Sequence, residues 1–253
     1  MFDEGGTSTF ATRVANLLRR VEYRRADTAE EKHAIVLMRY EGYSREGFIE
    51  PNATRVFTDP DDDCPNVWLI GVYVDGALAS SIRLHVASRL DHVLPVTRSF
   101  PDVLEPKLSS GDLIIDATRQ VSRLEFTRAY PFLPYVTMRS AFLAEDYFGA
   151  DFITATCRAE YQLAFKRMYG ASRWSAPRPF PPLTRPHALM AYDCKVQAEA
   201  TRARYPFVQS TPAEQRAVFG LSSNGYDLLA ELSAGRRDGR RSETIEQSTT
   251  CAA

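Results

Sequence analysis

The sequence predicts a mixed α/β (α+β) fold, a central mixed sheet with helices on both faces. Three observations carry the prediction. Apolar runs on either side of Asp75-Gly76 read as a hairpin, because a two-residue type I′ turn needs positive φ at both central positions. A third long extended segment spans residues 113–126. From Pro131 onward helical and extended patterns alternate, which adds βαβ-like units to an antiparallel start.

Each element has a local reason. Residues 1–9 are expected to be disordered. Residues 10–20 place Val14, Leu17 and Leu18 among arginines, an amphipathic helix. A first strand spans 21–25. Thr28-Ala-Glu-Glu31 is a capping box and opens a helix that buries Ile35, Val36 and Met38 or Tyr40. Residues 41–66 are acidic, and Pro51, Pro60 and Pro65 mark them as irregular. The hairpin strands are 67–74 and 77–86. Pro131 and Pro134 precede a helix that ends near Phe148-Gly149, with Val136, Met138, Phe142 and Leu143 suited to packing on a sheet. Residues 152–157 form a short buried strand. Residues 158–168 form a second packing helix, stopped by Gly170. Five prolines in 177–186 require a loop or extended arm. Residues 188–194 return as a final strand. Thr211-Pro212-Ala-Glu214 opens a C-terminal helix with proline at its preferred first position. The tail from Arg236 has too few apolar residues to fold. The expected organisation is an N-terminal arm (1–20), a catalytic domain (21–195), a helical extension (196–233) and a tail (234–253).

Composition excludes several classes. A net charge of −1 argues against a dedicated nucleic-acid binder. No segment approaches the roughly 20 apolar residues of a membrane span, so no stable membrane insertion is expected. Asp3 and Glu4 stand where a signal peptide would carry positive charge. Cys64, Cys157, Cys194 and Cys251 are far apart and form no CxxC pair. They read as isolated reduced thiols, which favours a cytoplasmic location. His33, His85, His92 and His187 supply no zinc spacing, so no metal is expected.

The order of elements is that of the N-acetyltransferase-like fold. Most members of that fold hold coenzyme A in a Q/R-x-x-G-x-G/A loop, whose backbone amides bind the pyrophosphate. The corresponding segment here runs from Thr127 to Pro134 without a glycine. Further features stand in sequence. Arg39 is followed four positions later by Tyr43, and Phe48 adds another aromatic. Asp59 and Asp62 form a D-x-x-D pair. Arg83-Leu84 lies in the second hairpin strand, and Gln120-Val-Ser122-Arg123 lies in the long strand.

In these features the chain resembles the N-acyl amino acid synthases, relatives of the N-acyl-homoserine lactone synthases, over about residues 23–194. The resemblance implies transfer of a fatty acyl group from an acyl carrier protein to the α-amine of an amino acid. The donor is acyl-phosphopantetheine on that carrier, with acyl-CoA as the alternative and no other cofactor bound. It implies substrate-binding roles for Arg39, Tyr43, Phe48, Asp59, Asp62, Arg83 and Arg123. Ser122 falls in the catalytic E-x-S-R motif, where Gln120 replaces the glutamate of lactone synthases. That replacement, together with Phe48 where those enzymes tend to have tryptophan, counts against a lactone synthase. The missing glycine loop counts against an acetyl-CoA enzyme. A non-catalytic acyl-ligand sensor is the rival that Gln120 favours.

The chemistry needs a neutral amine, and an amide side chain is no base. Glu125 is expected two residues beyond Arg123 on the same strand face. The other sources are Asp59 or Asp62, or desolvation of the amine. Arg83 and Arg123 suit a substrate carboxylate. Either can instead hold down the acidic loop. Backbone N–H groups near 120–122 are expected to meet the oxyanion. Arg158, Lys166, Arg167 and Arg173 surround one predicted helix and suit an acidic carrier protein. Phe126, Tyr130, Phe132, Leu133, Tyr135, Met138, Phe142, Phe148 and Phe152 suit an apolar acyl tunnel or plain core.

Overall fold

The structure, a computed structural model, describes residues 9–88 and 94–220. Helix α1 (Phe10–Leu18) starts where the Thr9 hydroxyl accepts the N–H of Thr12. Strand β1 (Val21–Arg25) leads to α2 (Ala29–Arg45), which has the expected Thr28–Glu31 capping box. A 3-10 turn at Pro60–Asp63 precedes β2 (Val67–Val74) and β3 (Ala77–Ala87). Asp75 and Gly76 have φ of 49° and 82°, the positive pair that the hairpin requires.

Next come α3 (Pro101–Ser109), β4 (Ile114–Ser122), α4 (Leu124–Ala129) and α5 (Leu133–Phe148). Then follow β5 (Phe152–Cys157), α6 (Gln162–Tyr169), β6 (Ser172–Arg178), β7 (His187–Asp193), α7 (Cys194–Arg204) and α8 (Pro212–Phe219).

The seven strands form one sheet in the order β1-β2-β3-β4-β5-β7-β6. Every pairing is antiparallel except β4–β5. On one face, Leu133, Val136 and Leu143 of α5 pack on Ile82, Leu84 and Ile115. On the other face lie α2, with Ile35, Met38 and Tyr43 buried, and a second cluster of Phe100, Leu104, Ile114 and Leu189. The chain after β7 returns to α5: Arg139 donates to the carbonyl of Phe207 at 2.7 Å and to Glu214 at 3.0 Å.

Several expectations change. The long strand stops at Ser122 and turns into α4, because Leu124, Glu125, Arg128 and Ala129 are good helix formers. Arg123 supplies the carbonyl that takes the Thr127 N–H. The segment around Pro177 begins as a strand, β6. Its proline is accommodated because β6 lies at the sheet edge. Helix α3 was not expected, and α7 begins two residues ahead of the expected helical extension. Cys157 and Cys194 are free, as read from sequence, and buried, but Cys64 is disulfide-bonded. Distance along the chain does not keep thiols apart in space, so the cysteines no longer argue for a reducing compartment. The expected disorder of residues 1–8 and of the tail from Arg236 lies outside the described residues. Among the described residues no helix is long and apolar enough to cross a membrane.

Candidate active site

Four of the predicted residues meet in one buried ion network. Arg39 faces inward from α2 with no exposed surface, and its Nη1 donates to Asp62 at 2.5 Å. Arg83 of β3 donates to the same carboxylate at 3.2 Å and lies 2.8 Å from Asp59. Arg119 of β4 donates its Nε to Asp59 at 2.7 Å. The acidic loop is held in shape locally: Asp59 caps the 3-10 turn by accepting the N–H of Asp61, and Pro60 opens it. Buried charges persist only when paired and hydrogen-bonded. Burial pushes the Asp59 carboxyl up, but Arg83 and Arg119 outweigh it and hold the group well below the usual carboxylate range. Burial lowers Arg83, an effect Asp59 opposes. Of the two roles expected for Arg83, the geometry shows the loop-holding one.

The next feature is a defect in β4. Ser81 pairs with Val121 and Arg83 with Thr118, so β4 carries one extra residue there. Arg119 sits in that bulge with φ of 54°. A bulge kinks the strand and increases its twist. The parallel β4–β5 ladder ends at Ala117 and Ala155, although β4 runs on to Ser122 and β5 to Cys157. The sheet therefore splays open beyond Ala117. The bulge also turns Gln120 toward α5, where its Nε2 donates to the Pro134 carbonyl at 3.0 Å. Gln120 thus does not join the ion network.

Beside the bulge, aromatic side chains make a closed set. Tyr43 packs on Phe48 and Phe57 at centroid distances of 5.6 and 5.2 Å. Phe180 and Phe48 flank His187 at 5.3 and 6.1 Å. The Arg119 guanidinium lies over Phe57 and Phe180 at 5.6 and 5.8 Å, and Arg158 lies over Phe48 at 4.4 Å. The proline-rich segment covers this set. Thr184 donates its N–H to the Phe48 carbonyl and its hydroxyl to the Gly47 carbonyl, both at 3.0 Å. Sequence reasoning found Tyr43 and Phe48 but missed Phe57, Arg119, Phe180 and His187 as site residues. The only local hint was Phe180, an aromatic standing among prolines.

The remaining predicted residues divide. Ser122 and Arg123 are half-buried at the end of β4. Glu125 is exposed in the first turn of α4, not on a strand face with Arg123. Lys166 and Arg167 are exposed on α6, and Arg173 on β6. Arg158 turns inward instead and pairs with Glu160 at 2.9 Å. On the α5 side of β5 there is an apolar pocket lined by Met138, Phe142, Phe165, Tyr169, Met190 and Tyr192. Only Met138 and Phe142 of the expected tunnel residues line it. Leu133 and Phe148 are core, and Phe152 belongs to the opposite face.

Two further buried groups adjoin the network. His85 and Asp116 are cross-strand partners on β3 and β4. Burial, aided by Arg83, holds His85 well below the usual imidazole value. Burial raises Asp116 to about 6, although the Thr154 hydroxyl donates to it at 2.8 Å. Among the described residues no cluster of histidine, cysteine and carboxylates is arranged to hold a metal.

Comparison with known proteins places this geometry. The chain is similar in structure to FeeM, an N-acyl amino acid synthase from uncultured soil microbes, with a TM-score of 0.60 and 12% identity over 74% of this chain and 98% of that one. It is also similar to BjaI, a CoA-dependent acyl-homoserine lactone synthase, with a TM-score of 0.55 and 12% identity over 78% and 98% of the two chains. For the AHL synthase LasI the TM-score is 0.52, with 14% identity over 79% and 94%. The fold is thus the acetyltransferase-like one these synthases share. No curated protein matches the sequence. The family model described as "N-acyl amino acid synthase FeeM" matches residues 34–193, the stretch that holds the ion network, the splay and the aromatic set. Because that match spans more than half of the 253 residues, the protein belongs to the FeeM family of N-acyl amino acid synthases and is an acyltransferase.

Proposed function

We propose that the protein transfers a fatty acyl group from acyl carrier protein to the α-amine of an amino acid, giving an N-acyl amino acid. One observation carries this reading: the β4–β5 splay lies between an aromatic, arginine-lined set on the α2 side and an apolar pocket on the α5 side. A phosphopantetheine thioester laid in the splay has a polar acceptor site on one side of its carbonyl and, on the other, apolar side chains around a cavity of about one water's size that must part to admit an alkyl tail. Backbone N–H groups of β4 beyond Ala117 are the candidate oxyanion donors. Ser122 lies on that stretch. Arg123 is the carboxylate grip, since a guanidinium offers bidentate bonds and its side chain has no partner among the described residues. Tyr43 and Phe48 form the wall for the acceptor side chain. Arg39, Arg83, Asp59 and Asp62 hold the wall of the site in place.

The carrier protein is favoured as donor by the segment after β4. Helix α4 and the prolines at 131 and 134 leave no glycine nest for a free pyrophosphate. Exposed Lys166, Arg167 and Arg173 suit an acidic partner. The similarity to CoA-dependent BjaI keeps acyl-CoA as a second donor. The test is expression in a bacterium that makes its own acyl carrier protein, with mass spectrometry of the organic extract. New fatty-acyl amino acids, absent with Arg123→Ala, support the reading. A clean extract from folded protein, repeated in vitro with acyl-CoA, separates the two donors.

A further inference from the structure

We propose that His187 is the general base that takes the proton from the acceptor amine. The inference rests on the acyl-transfer reading above and adds a residue to it. His187 opens β7 and is buried between the rings of Phe48 and Phe180. Its Nδ1 lies 2.8 Å from the Arg185 carbonyl. A carbonyl only accepts, so the proton of the neutral ring sits on Nδ1 and Nε2 carries a lone pair. Nε2 has no hydrogen-bond partner among the described residues. The ring therefore presents a bare base within the set that Arg119 ties to the splay.

The other candidates are spoken for. Asp59 is engaged by two arginines, and Asp62 by Arg39 and Arg83. A carboxylate held far below its usual range, as Asp59 is, is a weak base. Gln120 is turned to Pro134 and Glu125 is exposed on α4. His187 is also kept neutral: burial lowers it first, the Arg185 carbonyl opposes, Arg119 and Arg158 lower it further, and Glu160 opposes. Arg178, its partner across β6, is engaged by Asp102.

The step balances. Nε2 removes one proton from the ammonium, and the freed lone pair forms the C–N bond to the thioester carbonyl. As the tetrahedral intermediate collapses the C–S bond breaks. The second nitrogen proton goes to the departing thiolate, and the imidazolium returns its proton to water. The products are an amide, a thiol and one proton.

The experiment uses the full chain and the amino acid that the extract analysis identifies, with the matching acyl-loaded carrier. His187→Gln is expected to lower kcat by about a hundredfold or more with little change in KM. The wild-type rate should show an acid limb from the imidazole. The variant should lose that limb, keep only the limb of the acceptor amine, and regain rate with added imidazole. An unchanged kcat and pH profile in His187→Gln, with an active wild type, overturns the base and leaves the acyl-transfer reading standing. An inactive wild type ends both. A readout independent of turnover is the ring-nitrogen NMR shifts of His187, assigned by their loss in the variant. A proton on Nδ1 and none on Nε2 at pH 7 is expected, and the opposite tautomer overturns the proposal.

Discussion

Nη1 of Arg83 and a carboxylate oxygen of Asp59 lie 2.8 Å apart, with both side chains almost wholly out of water. Arg119 reaches the same carboxylate from β4. Removing Asp59 leaves buried Arg119 without its counter-charge and Arg83 with Asp62 alone. Asp59→Ala should therefore cost about 3–5 kcal/mol, read as a lower urea midpoint at unchanged slope. The folded Asp59 titrates below its unfolded value. Its contribution is accordingly complete above the unfolded value near 4 and fades as pH falls below it. The difference between variant and wild type should shrink below pH 4.

The sequence resemblance sets Gln120 against a glutamate of lactone synthases, and in the structure its amide holds the Pro134 carbonyl on the α5 side. Placing an acid there sets a carboxylate against a carbonyl. Gln120→Glu should raise turnover not at all and destabilise the fold by about 1–3 kcal/mol. A gain in product formation from this variant would show that the bulge does not keep residue 120 away from the amine.

Arg123 is half-buried, and its side chain has no partner to lose among the described residues. Arg123→Ala should unfold within about 0.5 kcal/mol of wild type while losing most product formation. Equal product from the two proteins would move the carboxylate grip elsewhere, Arg158 and Arg119 being the cations that lie over the aromatic set.

Ala171 is buried in the lining of the apolar pocket. Ala171→Leu fills space there and should shift the extracted products to shorter acyl chains. An unchanged chain-length distribution would place the acyl tail outside this pocket.

Burial raises Glu145 to about 7, against the pull of Arg202, and raises Asp116 to about 6. Both groups bind protons more tightly folded than unfolded. Stability should rise as pH falls from 8 through 7 and 6, and level off near the unfolded values around 4. In Glu145→Gln the melting temperature should vary less between pH 8 and 6.

The architecture was legible because its signals are local. The Thr28–Glu31 box, the Asp75-Gly76 turn, the Thr211–Glu214 box and the stop at Gly149 each follow from residues within one turn of chain. The D-x-x-D pair and its arginines were legible as types in order. Their mutual pairing was not legible, since a buried Arg83 and a solvent-exposed Arg83 read alike. The break at Ser122 was missed because the apolar pattern runs on through Leu124 and Phe126 while helix propensity takes over.

The sequence by itself determined the fold class, the hairpin, the capped helices and the arginines and aspartates available to the ion network. Short-range sterics and hydrogen bonding are written in neighbouring residues. Tertiary structure decided which charges cancel, where β4 bulges at Arg119, and that Phe48, Phe180 and His187 share one site. Those outcomes depend on segments more than a hundred residues apart in sequence coming into contact, and burial then sets the charge state of each group they enclose.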